Sequence, residues 1–185
     1  MTLAIAHKEG KVLMVDAIRE RKPPFSPENV CTEFSDLLKR YRIARTEGDR
    51  YAGEWPREAF RRHGIEYCCA KKTKSELYGT LLPESNSRNI ALLDNPRLAA
   101  QLVGLERRTS RGGRDIIDHG PGSHDDIANA VAGALVTATS RERFAPLCEI
   151  GLPRVGDGGL YRQINDEFPQ SPATANWRAQ NSSRV

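Results

Sequence analysis

Asp125 and Asp126 stand side by side within I-I-D-H-G-P-G-S-H-D-D-I-A-N-A-V-A-G-A, which runs from Ile116 to Ala134. An apolar run ends there in a Gly/Pro turn, and a helix rich in small residues opens on the two carboxylates. Such a pair suits a divalent cation, because Mg²⁺ and Mn²⁺ prefer oxygen ligands. A plainer reading fits the same residues. Ser123 and Asp126 match an S-x-x-D capping box, and acids in a first helical turn favour the helix dipole without any metal.

Asp49 is the second candidate, in E-G-D-R-Y-A-G-E-W, at the end of an expected strand and before a glycine turn. Ligands of open α/β sheets gather beyond the carboxyl ends of strands, although Asp is also an ordinary turn residue. Two-metal phosphoryl chemistry needs several carboxylates around ions about 3.5–4 Å apart, with cations for the substrate backbone. Cations are concentrated in the middle of the chain. From Glu54 to Ile116 there are twelve Lys/Arg against eight Asp/Glu, including Lys71, Lys72, Lys74, Arg107, Arg108, Arg111 and Arg114. After Arg143 the balance is four against four. A solvated charged face and a phosphate-binding surface both fit this pattern.

Other chemistries find little support. His7, His63, His119 and His124 are scattered, and only His119 and His124 are close, across a glycine turn, so zinc is not indicated. Cys31, Cys68, Cys69 and Cys148 form no C-x-x-C pattern, which argues for reduced, mostly buried thiols. No local Ser/His/Asp or Cys/His arrangement and no Gly-rich nucleotide loop is present.

The elements that must position the acids follow from periodicity. Leu3–His7 and Val12–Ile18 read as a hairpin turning at Gly10. Ser26 as N-cap and Pro27 at N1 begin a helix with Val30, Phe34, Leu37, Leu38 and Tyr41 on one face. A strand is expected over Ile43–Arg50, a short helix over Arg57–His63 stopped by Gly64, and a strand over Ile65–Ala70. Thr73–Leu82 reads as a helix ended by Pro83, Ile90–Leu93 as a short strand, and Asn95-Pro96 as the start of a helix to about Glu106. Residues 105–118 read as a hairpin turning at Gly112-Gly113, and Asp125 to Thr139 as the last helix. Alternating strands and helices give an α/β class. From residue 144 to 185 the chain lacks periodicity and reads as a partly irregular tail.

A chain of 185 residues at 38% hydrophobic and 28% charged supports one ordinary domain with a core. No apolar run is long enough to span a membrane, and T-L-A-I-A-H lacks the basic start of a secretory signal, so a cytoplasmic location is expected. A net charge of +4 permits nucleic acid as a partner without requiring it.

Four segments together resemble a known family: D-R-Y-A-G-E-W-P-R-E-A-F-R-R-H-G-I, K-S-E-L-Y, L-L-D-N-P-R-L-A-A-Q-L and D-H-G-P-G-S-H-D-D-I-A-N-A-V-A-G-A-L. They are similar, in the right order over residues 1–143, to the nuclease domain of large terminase subunits from tailed bacteriophages and prophages. The resemblance implies a ribonuclease H-like mixed sheet flanked by helices, and a metal-dependent endonuclease that cuts concatemeric viral DNA during packaging in the bacterial host. It implies that Asp49 matches the second acidic motif and Asp125 with Asp126 the third, as catalytic residues and ligands of Mg²⁺ or Mn²⁺. It further implies a supporting place beside the ligands for His124, and contacts to double-stranded DNA from Arg107, Arg108, Arg111, Arg114, Lys71 and Lys72.

Two departures shape the expectation. The family's domain opens with a central strand bearing the first catalytic Asp, and this sequence begins after it, so an N-terminally truncated fold is expected. Asp16, on the following strand near the sheet edge, is not expected to substitute. No G-x-x-x-x-G-K-[ST] is present, so the packaging ATPase motif is absent from this sequence. Impaired cleavage is therefore expected, with the missing strand supplied by another chain, a small terminase subunit or the portal as candidate partners. A non-catalytic DNA-binding remnant and a resolvase-like structure-specific nuclease are the competing readings.

Overall fold

The computed structural model describes residues 1–48, 54–109 and 115–139. β1 (Thr2–Glu9) and β2 (Val12–Glu20) form an antiparallel hairpin, with Glu9 opposite Val12 and Gly10 at φ +58° between them. A positive φ at the first of two turn residues is what a II′ hairpin requires, and glycine supplies it without strain. β5 (Ile90–Ala91) adds to β2 in parallel through Leu13 and Met14, giving the order β1-β2-β5.

The hairpin register slips between Ile5 and Ala6, where Ile5 faces Ala17 and Ala6 faces Val15. Asp16 is thus the extra residue of a β-bulge, and a bulge inverts the in/out parity of the strand around it. That inversion lets β2 serve two cores. Leu13 and Val15 join Ala4 and Ala6 against the C-terminal helices, whereas Ala17 joins Leu3 and Ile5 on the opposite face. Asp16 is anchored by His7 Nδ1, 2.8 Å from its carboxylate. β2 is the middle strand of its sheet, yet β5 reaches only Leu13 and Met14, so Asp16 does lie on an open stretch.

One helical layer holds α1 (Pro27–Arg40) and α2 (Trp55–Arg62). Ser26 accepts from the Asn29 amide and Pro27 occupies the first turn, as the sequence indicates. Val30, Cys31, Phe34 and Leu38 of α1 meet Ala59 and Phe60 of α2, with Ile65 and Tyr67 packed alongside. β3 (Arg45–Gly48) and β4 (Glu66–Cys69) pair in parallel as a separate two-stranded sheet. Phe60 stacks on Tyr67 with ring centroids 5.7 Å apart.

The other layer holds α3 (Lys74–Asn86), α4 (Pro96–Val103) and α5 (Asp126–Thr139). Ile127, Ala128, Val131, Ala132, Leu135 and Val136 of α5 are buried, and this run of short side chains lets the helix lie close on β1 and β2. α5 also packs on β3, where the Thr137 hydroxyl donates to Glu47. β6 (Leu105–Thr109) and β7 (Asp115–His119) form the expected basic hairpin, its Gly112-Gly113 turn lying outside the described residues.

Two helix ends differ from expectation. α3 continues through Pro83 to Asn86. Proline in a helix crowds the carbonyl four residues earlier, and here that residue is Gly79, which carries no side chain of its own. α4 stops at Val103 because Gly104 takes the C-cap, so Leu105 begins a strand. The residue 144–185 tail and Cys148 lie outside the described residues; Cys31, Cys68 and Cys69 are free thiols, of which only Cys31 is buried. No described helix is long and apolar enough to cross a membrane.

Candidate metal centre

Asp125 carries the site. It precedes α5, its carbonyl accepts the first helical bond from the Asn129 amide at 2.8 Å, and the residue is only 7% exposed. An Asp in this N-cap position normally turns its carboxylate back onto the amides two and three residues ahead. Asp125 does not. Its Oδ2 accepts from the Tyr78 hydroxyl at 3.0 Å and lies 3.1 Å from Lys74 Nζ.

Lys74, at the first turn of α3, also donates to Asp118 Oδ1 at 2.5 Å. Asp118 ends the β6–β7 hairpin beside His119, and Gly120 to His124 return the chain to Asp125. Ser75 clamps that hairpin to α3, because its hydroxyl accepts from the Ile117 amide at 3.0 Å and donates to the Ile117 carbonyl. The capping box of Thr73 and Glu76 in turn fixes the start of α3. Three elements therefore converge on one point.

Asp118, His119 and Asp125 each offer one ligand atom, and these atoms lie within 4.8 Å of one another. With Nδ1 of His119 donating to the Gly120 carbonyl at 2.9 Å, its Nε2 keeps a lone pair for a ligand. The donor set fits a hard or borderline divalent cation, and the Lys74 ammonium between the two carboxylates stands where a cation is favoured. Asn129 lies one turn after Asp125 on the same helical face, and its Oδ1 is buried without a hydrogen-bond partner.

Electrostatics agree with the geometry. The Lys74 ammonium and the His119 amide hold the Asp118 carboxyl below its usual range. Burial disfavours the charge on Lys74, but its bonds to Asp118 and Asp125 outweigh that and raise its pKa. Burial first, and then the Asp125 charge, push the Tyr78 hydroxyl far up, so it remains a donor.

The remaining sequence candidates fall differently. Asp126 opens α5 with an exposed side chain that makes no hydrogen bond or ion pair among the described residues. It is near enough to contribute to the negative field at Tyr78. The Ser123–Asp126 capping box does not form, because the Ser123 hydroxyl donates to Gly120 instead. His124 is exposed, with its ring 6.5 Å from that of His119. Asp49, Arg111 and Arg114 lie outside the described residues, and β3 is described up to Gly48, the residue before Asp49.

Arg107 is ion-paired with Asp115, and Arg108 with Glu106 at 2.5 Å. Lys72 donates to Thr80 at 2.9 Å, and Lys71 is exposed. A cavity of about 550 Å³ lies elsewhere, between α2 and β4, lined by Glu54, Arg57, Glu58 and Arg61 of mixed charge.

Sequence reasoning missed Asp118, His119 and Lys74. The first two were visible as D-H at the end of a strand that turns straight back into D-D, which brings them beside Asp125. Lys74 is 44 residues from Asp118, and only the α3 packing reveals the pairing.

Neither a scan against protein-family models nor a search of curated proteins gives a match. Solved structures do match. The crystal structure of the large terminase nuclease from thermophilic phage G20c has a TM-score of 0.57 and 15% identity, covering 74% of this chain and 82% of that chain. Its form with bound cobalt has a TM-score of 0.57 and 16% identity, covering 74% and 80%. The form with bound magnesium has a TM-score of 0.57 and 18% identity, covering 73% and 81%. The chain therefore has the mixed α/β, ribonuclease H-like fold of a large terminase nuclease domain.

Proposed function

We propose that this chain is a metal-dependent DNA endonuclease domain of the terminase type, with Asp125 at its centre. The observation that carries the reading is that Asp125, buried and in the N-cap position, is turned away from its own helix toward Asp118, His119 and Lys74. A capping acid would not be held this way, and the solved structures of the same fold include cobalt- and magnesium-bound forms. Asp125, Asp118 and His119 are the residues that would hold Mg²⁺ or Mn²⁺, with Asp126 and Asp49 completing the acidic set. When bound, the ions supply an activated water and charge stabilisation for phosphodiester hydrolysis.

The chain's own side chains do the rest. Tyr78 fixes the rotamer of Asp125 by donating to one of its oxygens. Lys74 neutralises the carboxylates while no cation is present, and its flexible stem lets it turn outward to a phosphate oxygen. Lys71, Lys72 and the arginines of the hairpin, Arg107, Arg108, Arg111 and Arg114, offer cations to double-stranded DNA. Arg107 and Arg108 are held by acids of their own hairpin, so their DNA contact requires exchanging those partners. The buried Asp125 within the acidic cluster is what favours the metal centre over a DNA-binding remnant.

A strand-donating partner belongs to the same reading. Arg21 bonds the Met1 carbonyl, so by alternation Thr2 and Ala4 direct their backbone groups to the edge of β1 away from β2. In β3 the Gly48 carbonyl pairs with Ala70, so Glu47 directs its groups to the edge away from β4. Both strands lie under α5. Among the described residues neither edge carries a further strand. Edges of this kind accept an added strand, and in this reading the chain alone is weakly active. The test is nicking of supercoiled DNA with Mn²⁺. Slow nicking that disappears with Asp125→Ala is expected; nicking unaffected by that substitution would overturn the assignment.

A further inference from the structure

The Asp125 carbonyl accepts the first bond of α5, which makes Ile127 and Ala128 the second and third residues of the helix. Their amides are the ones an N-cap side chain ordinarily accepts. Both go instead to one atom of another helix. Gln101 Oε1, on α4, accepts from Ile127 N at 2.9 Å and from Ala128 N at 2.9 Å. Asn95 secures α4 at its own start by accepting from the Arg97 and Leu98 amides.

Asp is among the best N-cap residues, and Asp125 is in place to cap α5 itself. It is released from that task only because Gln101 already satisfies the orphan amides. We infer that Gln101 is a positioning residue for the metal centre: it caps α5 from outside so that the Asp125 carboxylate is free to face Asp118, His119 and Lys74. Among the described residues Gln101 makes no hydrogen bond to Asp118, His119, Asp125 or Lys74, and its role runs through the cap of α5.

This inference rests on the metal-centre reading, and two measurements separate their failures. The first is Mn²⁺ calorimetry on the full 185-residue chain. In Gln101→Ala the Asp125 carboxylate falls back onto its own helix, so Mn²⁺ binding weakens by about tenfold or more, the scale of outer-sphere substitutions. The urea midpoint moves little, because Asp125 takes over the cap. Gln101→Glu keeps an acceptor oxygen and retains wild-type binding. A role in stability alone would produce the reverse, a lower midpoint with unchanged affinity.

The second measurement is the urea midpoint without metal. Gln101→Ala should lower it more in an Asp125→Ala background than in wild type, since no substitute cap then remains. Equal shifts in the two backgrounds would overturn the inference, as would Mn²⁺ binding by Gln101→Ala within about twofold of wild type, well short of that scale. A Gln101→Ala chain that does not fold would also overturn it, because Asp125 would have failed to replace the cap. Were the wild type to bind no Mn²⁺, the metal reading would fail while the urea comparison still decided the role of Gln101.

Discussion

Replacing Lys74 by Met removes the cation that, among the described residues, bridges Asp118 and Asp125, while keeping a stem of similar length. Breaking a fully buried ion pair costs about 3–5 kcal/mol, whereas an exposed pair is worth about 0.2–1 kcal/mol. The cluster lies between these limits, because the Asp125 side chain is 9% exposed, that of Lys74 30% and that of Asp118 51%. Asp118 is the well-screened partner and contributes little. Among the described residues Asp125 then keeps the Tyr78 hydroxyl as its side-chain partner. We therefore expect a loss of about 2 kcal/mol at neutral pH, which for a chain of this size lowers Tm by about 4–8 °C.

The pH dependence has a definite sign. Asp118 is depressed in the folded state by Lys74, so its contribution is present above its unfolded pKa, about 3.9, and is lost as pH falls through the lower folded value. Lys74 is raised in the folded state, so its contribution is present below about 10.4 and is lost as pH rises through the higher folded value. The difference between wild type and Lys74→Met should be full between those limits. It should shrink slightly at the acid end, where the small Asp118 part is lost, and more at the alkaline end, where Lys74 loses its charge. Metal should reverse the order of benefit: Mn²⁺ replaces the lost cation, so it raises the Tm of the variant by more than that of wild type. Urea and thermal unfolding at several pH values, with and without Mn²⁺, measure all three effects. A variant as stable as wild type in every condition, with the same response to Mn²⁺, would refute the placement of Lys74 between the acids.

Tyr78→Phe removes a hydrogen bond to a charged acceptor at 3.0 Å. It should cost about 1.5–3 kcal/mol in unfolding free energy; a loss near zero would mean that Asp125 is held otherwise. Gly48→Ala places a methyl group 2.2 Å from the Tyr67 hydroxyl oxygen. It should destabilise by about 1–3 kcal/mol through overpacking of the β3–β4 pair, read from the urea midpoint. Arg107→Ala with Arg108→Ala should weaken DNA binding and reduce the salt slope by about one per lost phosphate contact. An unchanged slope in filter binding across salt concentrations would remove the hairpin from the DNA path.

The parts of the fold that sequence made legible are those where local pattern and tertiary packing agree. Ser26-Pro27 begins α1 as a capping pair should, and Gly10 turns the first hairpin, because the signals are short-range and nothing opposes them. Pro83 misleads because it sits in the last turn of α3, which carries it on to Asn86 instead of stopping before it. The Asp16 bulge was not legible, since a change of register depends on the partner strand rather than on the residue.

The site divides in the same way. Asp125 is conspicuous in sequence, but the S-x-x-D pattern makes ordinary capping the commoner explanation of the segment taken alone. Only the structure shows that another residue does the capping. Gln101 gave no sign, because a glutamine at the border of an amphipathic helix's apolar face is ordinary until its partner 26 residues away is known.

The most direct test of the metal centre is an anomalous difference map from crystals of this chain grown with Mn²⁺. A peak about 2.2 Å from carboxylate oxygens of Asp125 and Asp118, with Lys74 Nζ displaced from between them, is the expected result. A map without a peak there, with Lys74 still bridging the two acids, would contradict the account.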